Sequence, residues 1–376
     1  MKICLICNEF PPYKCGGIGI FSNELANALI LKGHEVIVVG VYPDIEEDIS
    51  LENGLRIIRL KSWGGKSSVF TNSIRLGYKI KKLTKSGDID IVELPDFEGL
   101  AAFWPRLNIP IVTRLHGSVT YFAKEMKLRE SKATTFIEKR SLNNSDYICS
   151  VSQYTANITK EIFDLDSKIK IIHNGVKIPL LGQCKSSYDD TNVVSFSGTL
   201  MRKKGVLSLA KAWILVKKDF PNAQLRLIGK DIIEDGSSVK EKILSMVGEE
   251  LKDSIEFTGH VTKQKMEELL IQSDLAVYPS ISESFGLAPI EAMSLGLPVI
   301  FSKRSAGEEL GHKLNSLKLI DPDNIQEIAQ TICDILENKE IRKDIGLKNR
   351  EDIMKYFNAD KKIDENIKYY QECING

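Results

Sequence analysis

Short runs rich in Val, Ile and Leu alternate along the chain with stretches whose apolar positions return every three or four residues. The first pattern predicts strands and the second helices. In the first half, strands are predicted at 2–7 (KICLIC), 35–41, 55–60, 90–94, 110–116 (PIVTRLH) and 146–152. Helices are predicted at 20–33, closed by Gly33, at 73–87, at 99–107 and from about Ala123 to Asn143. Strands this uniformly apolar imply a parallel sheet covered on both faces. A polar stretch at 182–192 interrupts the alternation and is the best linker candidate. Strands then follow at 193–198, 224–229, 254–259, 275–280, 297–302 and 316–321, with a helix at 206–220 and a mostly helical end from Asn324 to Tyr370. The predicted fold class is α/β, with two doubly wound sheets and a ligand cleft expected at the carboxyl ends of their strands.

Composition narrows the function. A chain of 376 residues exceeds one ordinary core, and 43% hydrophobic with 27% charged residues describes a globular protein. A formal net charge of zero argues against a dedicated nucleic-acid binder. Charge is uneven, however: Arg56 to Lys85 holds nine Lys or Arg and no Asp or Glu. Trp63, Phe70 and Tyr78 interleave with those cations, which makes the run a candidate surface for anionic lipid as well as a plain solvated helix. The seven cysteines are scattered and read as reduced thiols of a cytoplasmic protein. Cys4 and Cys7 have C-x-x-C spacing, but no second Cys/His pair follows, so buried packing is preferred over a metal or redox site. No stretch approaches 18 uninterrupted apolar residues.

The chemistry gathers at strand ends. Glu283 and Glu291 lie eight positions apart in ESFGLAPIE, between a predicted strand and a helix that has Pro289 in its first turn. A strand, a loop with Gly286 and a helix start form an anion-binding corner, while carboxylates on either side suit sugar hydroxyls. Gly16-Gly17-Ile18-Gly19 opens the first long helix, where backbone can approach an anion closely. Gly198 ends a strand ahead of Arg202, Lys203 and Lys204, cations suited to a diphosphate leaving group. Lys230 follows another strand end. Asp88-Ile89-Asp90 has the spacing of a manganese-binding Asp-x-Asp but precedes a buried strand as its polar entry, so no metal is expected.

Taken in order, PPYKCGGIGIFSNELANALILKGHEV, RLHGS (114–118), HNGV (173–176), GTLMRKKG, FTGHV (257–261) and ESFGLAPIEAMSLGLPVI resemble the retaining glycosyltransferases of family 4, over nearly the whole chain. The resemblance implies the GT-B fold, with Rossmann-like domains at 1–181 and 182–357 and a C-terminal helix, about 358–376, packing back on the first. It implies that the N-terminal domain binds the acceptor and the C-terminal domain the nucleotide sugar. Glu283 would hold donor-sugar hydroxyls beside the backbone of Ser284, Phe285, Gly286 and Leu287, and Glu291 would bind the ribose. Lys204 would neutralise the diphosphate, with Gly198 at the same loop and Gly16 and Gly17 bringing main-chain N–H from the other domain. His116 would line the reaction centre, Asn174 matches a junction asparagine, and backbone near Lys230 and Val261 would border the base. His34 would be structural, and His260 would border the base through its backbone.

Two departures stand out. The family places Arg after the glycine of the basic loop, and here that position is Thr199, with Arg202 or Lys203 as candidate replacements. A Gly-Gly turn of the family is altered to Ser305-Ala306-Gly307. The expected function is transfer of a sugar from a nucleoside-diphosphate sugar to a saccharide or lipid-linked acceptor hydroxyl, with retention and without cofactor, in bacterial surface polysaccharide or glycoconjugate synthesis. The rival readings are a GT-B-fold nucleotide-sugar epimerase or hydrolase and a non-catalytic nucleotide-sugar-binding subunit. The expected location is the cytoplasm, including the inner face of the membrane.

Overall fold

The computed structural model describes residues 1–13, 16–43, 45–52, 54–64, 68–188 and 190–376. They form two compact units, one of Met1–Asn174 with Asp360–Gly376 and one of Gly175–Ala359. The polar stretch 182–192 therefore lies within the second unit.

In the first unit the described strands are β1 (Lys2–Ile6), β2 (Glu35–Tyr42), β3 (Asp48–Glu52), β4 (Leu55–Lys61), β5 (Ile91–Pro95), β6 (Ile111–Leu115), β7 (Tyr147–Ser150) and β8 (Ile169–Ile171). They form one sheet in the order β3-β4-β2-β1-β5-β6-β7-β8, parallel except for the β3 edge. Alternate residues of β1 feed opposite cores. Ile3 and Leu5 pack under helix α1 (Gly17–Leu31), while Cys4 and Ile6 pack under α2 (Ser68–Lys85). Cys7 joins the α1 layer and Cys4 the α2 layer, so the C-x-x-C thiols belong to different cores. No disulfide joins the described cysteines, and Cys15 lies outside the described residues.

Two helix predictions are corrected. The span 99–107 is a 3-10 turn at Phe97–Gly99 followed by irregular chain. Glu98 and Gly99 both adopt positive φ, and Pro105 follows, so a regular helix cannot propagate there. Its apolar residues Ala101, Ala102 and Trp104 are buried, which produced the misleading periodicity. The single helix from 123 to 143 is instead α3 (Val119–Glu125) and α4 (Lys132–Asn143). Lys127 takes a left-handed φ of 54° between them, and Ser131 caps the second by accepting from the Thr134 N–H. Helix α5 (Gln153–Phe163) completes the region, capped by Ser152.

The second unit has β9 (Val193–Ser197), β10 (Gln224–Ile228), a small hairpin of β11 (Ile233–Glu234) and β12 (Ser237–Ser238), then β13 (Ile255–Gly259), β14 (Leu275–Tyr278), β15 (Val299–Ser302) and β16 (Lys318–Ile320). The main sheet runs β13-β10-β9-β14-β15-β16, all parallel. Strand order thus reverses between β9 and β14, which opens a crevice at their carboxyl ends. Its helices are α6 (Val206–Asp219), α7 (Val239–Val247), α8 (Lys263–Ile271), α9 (Leu287–Ser294), α10 (Ala306–Gly311), α11 (Ile325–Glu337) and α12 (Lys339–Tyr356). The final helix, α13 (Ala359–Asn375), returns to the first unit, burying Ile363, Tyr370 and Cys373 in the α1 layer.

Candidate functional site

In the second unit the basic loop and the ESFG loop meet at the strand-order reversal. Gly205 makes this approach possible: it has φ 72°, and a Cβ there would lie 1.7 Å from the Pro279 carbonyl oxygen. The Ile281 N–H donates to the Lys203 carbonyl at 2.8 Å, fastening the two loops. Lys204 Nζ then reaches Glu283 Oε1 at 2.5 Å, and Ser280 Oγ donates to the same oxygen at 3.1 Å. Both charged side chains are largely shielded from solvent. Burial pushes the Lys203 amine down to about 8, against the pull of Glu283 and with the repulsion of Lys204.

Gly286 takes φ 95° at the start of α9, so Ser284, Phe285, Gly286 and Leu287 form the turn into that helix. Phe285 is buried, its ring 5.7 Å from that of Phe357. One helical turn on, Glu291 pairs with Lys263 of α8 at 3.3 Å. Gly229 presses on Gly198: a Cβ at Gly229 would lie 1.9 Å from the Gly198 carbonyl oxygen. Beyond that contact Thr199 is exposed, and the Leu200 N–H donates to the Lys230 carbonyl at 2.9 Å. Val261 precedes Thr262, whose hydroxyl caps α8. The structure therefore brings Lys203, Lys204 and Glu283 together at one crevice, while Arg202 is exposed and its N–H donates to Glu234 Oε2 at 2.8 Å.

In the first unit strand order reverses between β1 and β5, and His116 follows the neighbouring β6. Its ring meets Phe21 edge-on at 4.8 Å beside a void of about 10 Å³ also bordered by Ile18, Ser22 and Pro95. Burial, with Arg114 nearby, pushes the imidazole down to about 3, so it is neutral at pH 7. The functional alternative to a core histidine is therefore a neutral, partly enclosed ring. Gly16 caps α1 and Gly17 begins it, with open space where a Gly17 side chain would stand. Asn174 is buried, and its Oδ1 has no hydrogen-bond partner among the described residues.

Four carboxylates in this unit escaped the sequence reading. Asp96 accepts from the N–H of His116 at 2.8 Å and of Gly117 at 3.2 Å. Burial, reinforced by Glu138, raises its carboxyl to about 7. Glu138 accepts from the N–H of Val119 and of Thr120 at the start of α3. Glu9 accepts from the Gly19 N–H at 2.7 Å, so a side-chain carboxylate already occupies the first turn of α1. Glu93 meets Arg114 in a bidentate pair, both bonds 2.8 Å, and Tyr370 of α13 donates to Glu93 at 2.8 Å. For Asp96, Glu9 and Glu93 the only sequence signal was charge inside or just past a buried strand, and for Glu138 a charge on the buried face of α4.

Of the other candidates, Asp88 pairs with Arg56 and Asp90 accepts from the Lys2 N–H at 2.7 Å, so both shape the strand entry. No metal-holding cluster occurs among the described residues. His34 lies by the chain's amino group, and His260 is exposed. The basic run is divided: Arg75 stacks on Trp63 at 4.4 Å and donates to the Lys61 carbonyl, while Phe70, Tyr78, Lys82 and Lys85 stay exposed on α2. Lys66 lies outside the described residues. Among them no helix is long and apolar enough to cross a membrane.

Residues 15–178 match the family model described as Glycosyltransferase Family 4, and residues 183–352 match that of Glycosyl transferases group 1. An uncharacterized glycosyltransferase of Methanocaldococcus jannaschii is 26% identical, covering 99% of this chain and 98% of its own. Sucrose-phosphate synthase from Thermosynechococcus elongatus superposes with a TM-score of 0.82 at 21% identity, over 98% of both chains. Anabaena HepE, solved in complex with UDP and glucose, gives 0.75 at 17% identity over 99% of both. The chain belongs to glycosyltransferase family 4 and has the GT-B fold.

Proposed function

We propose that this glycosyltransferase moves a sugar from a nucleoside-diphosphate sugar to an acceptor hydroxyl, with the anomeric configuration kept. The observation that carries the reading is the Lys204–Glu283 pair at the strand-order reversal of the second unit. The position suits a nucleotide ligand. The charges suit a diphosphate beside a polyol, because Lys204 offsets negative charge on the leaving group while Glu283 accepts from sugar hydroxyls. HepE, of like fold, was solved with UDP and glucose.

As the anomeric C–O bond to phosphate breaks, charge builds on the phosphate oxygen and the sugar becomes oxocarbenium-like. The acceptor oxygen bonds to that carbon from the same face, and its proton passes to the departing phosphate oxygen. On this reading protein cations serve in place of a metal. We assign donor-sugar recognition to Glu283 and the 284–287 turn, the ribose to Glu291 and the diphosphate to Lys204. Gly198, Lys230 and Val261 border the donor through backbone. In the first unit, which we assign to the acceptor, we give His116 and Gly17 their family roles.

The product class we propose is bacterial surface polysaccharide or glycoconjugate, on the family resemblance. Contact with anionic lipid through Phe70, Tyr78, Lys82 and Lys85 of α2 would bring such an acceptor within reach. Failure to sediment with anionic liposomes at low salt removes that extension. The main reading is tested by transfer assays on Glu283→Ala and Lys204→Ala with EDTA present. Both variants should lose transfer and EDTA should change nothing; near-normal activity in both sinks the site. Product analysis with and without acceptor separates transfer from epimerisation or hydrolysis of the donor.

A further inference from the structure

The loop that follows β9 carries three consecutive cations, while Thr199, exposed at the carboxyl end of the strand, brings none. We propose that Lys203, and not Arg202, is the second cation that receives the diphosphate beside Lys204. The inference rests on the donor reading above and goes past it in identifying which residue stands in for the missing charge.

Three observations separate the two neighbours. Arg202 is exposed, and its backbone N–H donates to Glu234 Oε2 on the β11–β12 hairpin at 2.8 Å, which ties the main chain at 202 to that hairpin. Lys203 is half-buried, and its carbonyl accepts from Ile281 at 2.8 Å and from Ser282 at 3.4 Å. The main chain at 203 is thus latched to the segment that leads directly into Glu283. The Lys203 ammonium also lies within electrostatic reach of both Glu283 and Lys204. Lys203 and Lys204 thus bring two adjacent cations beside Glu283, where charge-assisted bonds to an incoming diphosphate can form.

Burial and Lys204 push the Lys203 amine down to about 8, with Glu283 opposing. A bound polyanion favours the charged amine, so binding at slightly alkaline pH takes up a proton at this residue.

The test is calorimetric titration of UDP, GDP and ADP, and of the parent nucleosides, into the full chain. Lys203→Met should weaken whichever diphosphate the wild type binds by about 10- to 100-fold and leave the nucleoside unchanged, whereas Arg202→Gln should stay within about threefold. Lys203→Arg should restore the affinity. At about pH 8.5, titrations in buffers of different ionisation enthalpy should show proton uptake in the wild type and none in Lys203→Arg, whose guanidinium does not titrate. Matched melting temperatures confirm that the variants fold. The inference is overturned if Lys203→Met binds diphosphate within twofold of wild type, if Arg202→Gln loses as much, or if nucleoside affinity falls in parallel. A wild type that binds none of the three diphosphates removes the donor reading itself, and this inference with it.

Discussion

The two units share a doubly wound sheet but use the charges at its carboxyl edge in opposite ways. In the first, Asp96 and Glu138 accept backbone N–H bonds that shape the chain from His116 to Thr120. Glu93 and Arg114 are sealed between the sheet and α13. In the second, Lys204 and Glu283 join two loops that meet at the strand-order reversal. Carboxylates bound to backbone and in a buried pair stabilise the fold, whereas on the proposed donor reading the loop-held pair serves a ligand. Charge at a sheet edge is therefore read by what answers it.

The largest effect should come from breaking the sealed pair. Glu93→Ala strands the Arg114 guanidinium in the core and should cost about 3–5 kcal/mol, measured by urea unfolding. Lys204→Ala should show the reverse profile: a smaller stability loss, about 1–3 kcal/mol, because Glu283 keeps the bond from Ser280, but a transfer rate lower by about 10²- to 10³-fold. Equal stability losses in both variants would erase the contrast.

A subtler test uses pH. His116 is depressed from 6.5 to about 3, so its contribution is present above 6.5 and lost as pH falls toward 3. Asp96 is raised from 3.8 to about 7, so its contribution is present below 3.8 and lost as pH rises through 7. Between about pH 4 and 6.5 the two slopes oppose each other. Relative to wild type, His116→Asn should gain about 1.4 kcal/mol for each pH unit lowered in that window. An unchanged pH slope of stability rejects the assignment. The smallest effect concerns Ser305, which takes φ 54° and ψ −130° in the turn before α10, a conformation that suits glycine. Ser305→Gly should raise stability by about 1 kcal/mol, read as an increase in melting temperature.

The sheets were legible because their strands are apolar on both faces, which leaves few alternatives to a buried parallel arrangement. Strand β3 was not, since DISLE is a polar edge whose pairing is dictated by β4. Helix α5 was missed because QYTANITKEIF is mostly polar, and its buried face is supplied by Thr155, Ala156, Thr159 and Phe163. At the crevice, the ESFG loop and the lysines were legible because glycine and charge mark a loop. Their convergence follows from Gly205 and the Ile281 bond, which sequence spacing does not encode. Glu93 and Arg114 sit within apolar strands, and the groups that complete them, Asn366 and Tyr370, lie some 250 residues later. No local pattern could have joined them.

That long separation orders events at the ribosome. Most of the first unit is translated first, yet Glu93 and Arg114 wait for Asn366 and Tyr370, which follow the whole of the second unit along the chain. The second unit, continuous from Gly175 to Ala359, has its whole sequence before then. A nascent chain released before Asn366 would carry a finished second unit beside a first unit whose buried arginine and glutamate lack their closing partners. Truncation ahead of Asn366 thus leaves the first unit, and not the second, incomplete.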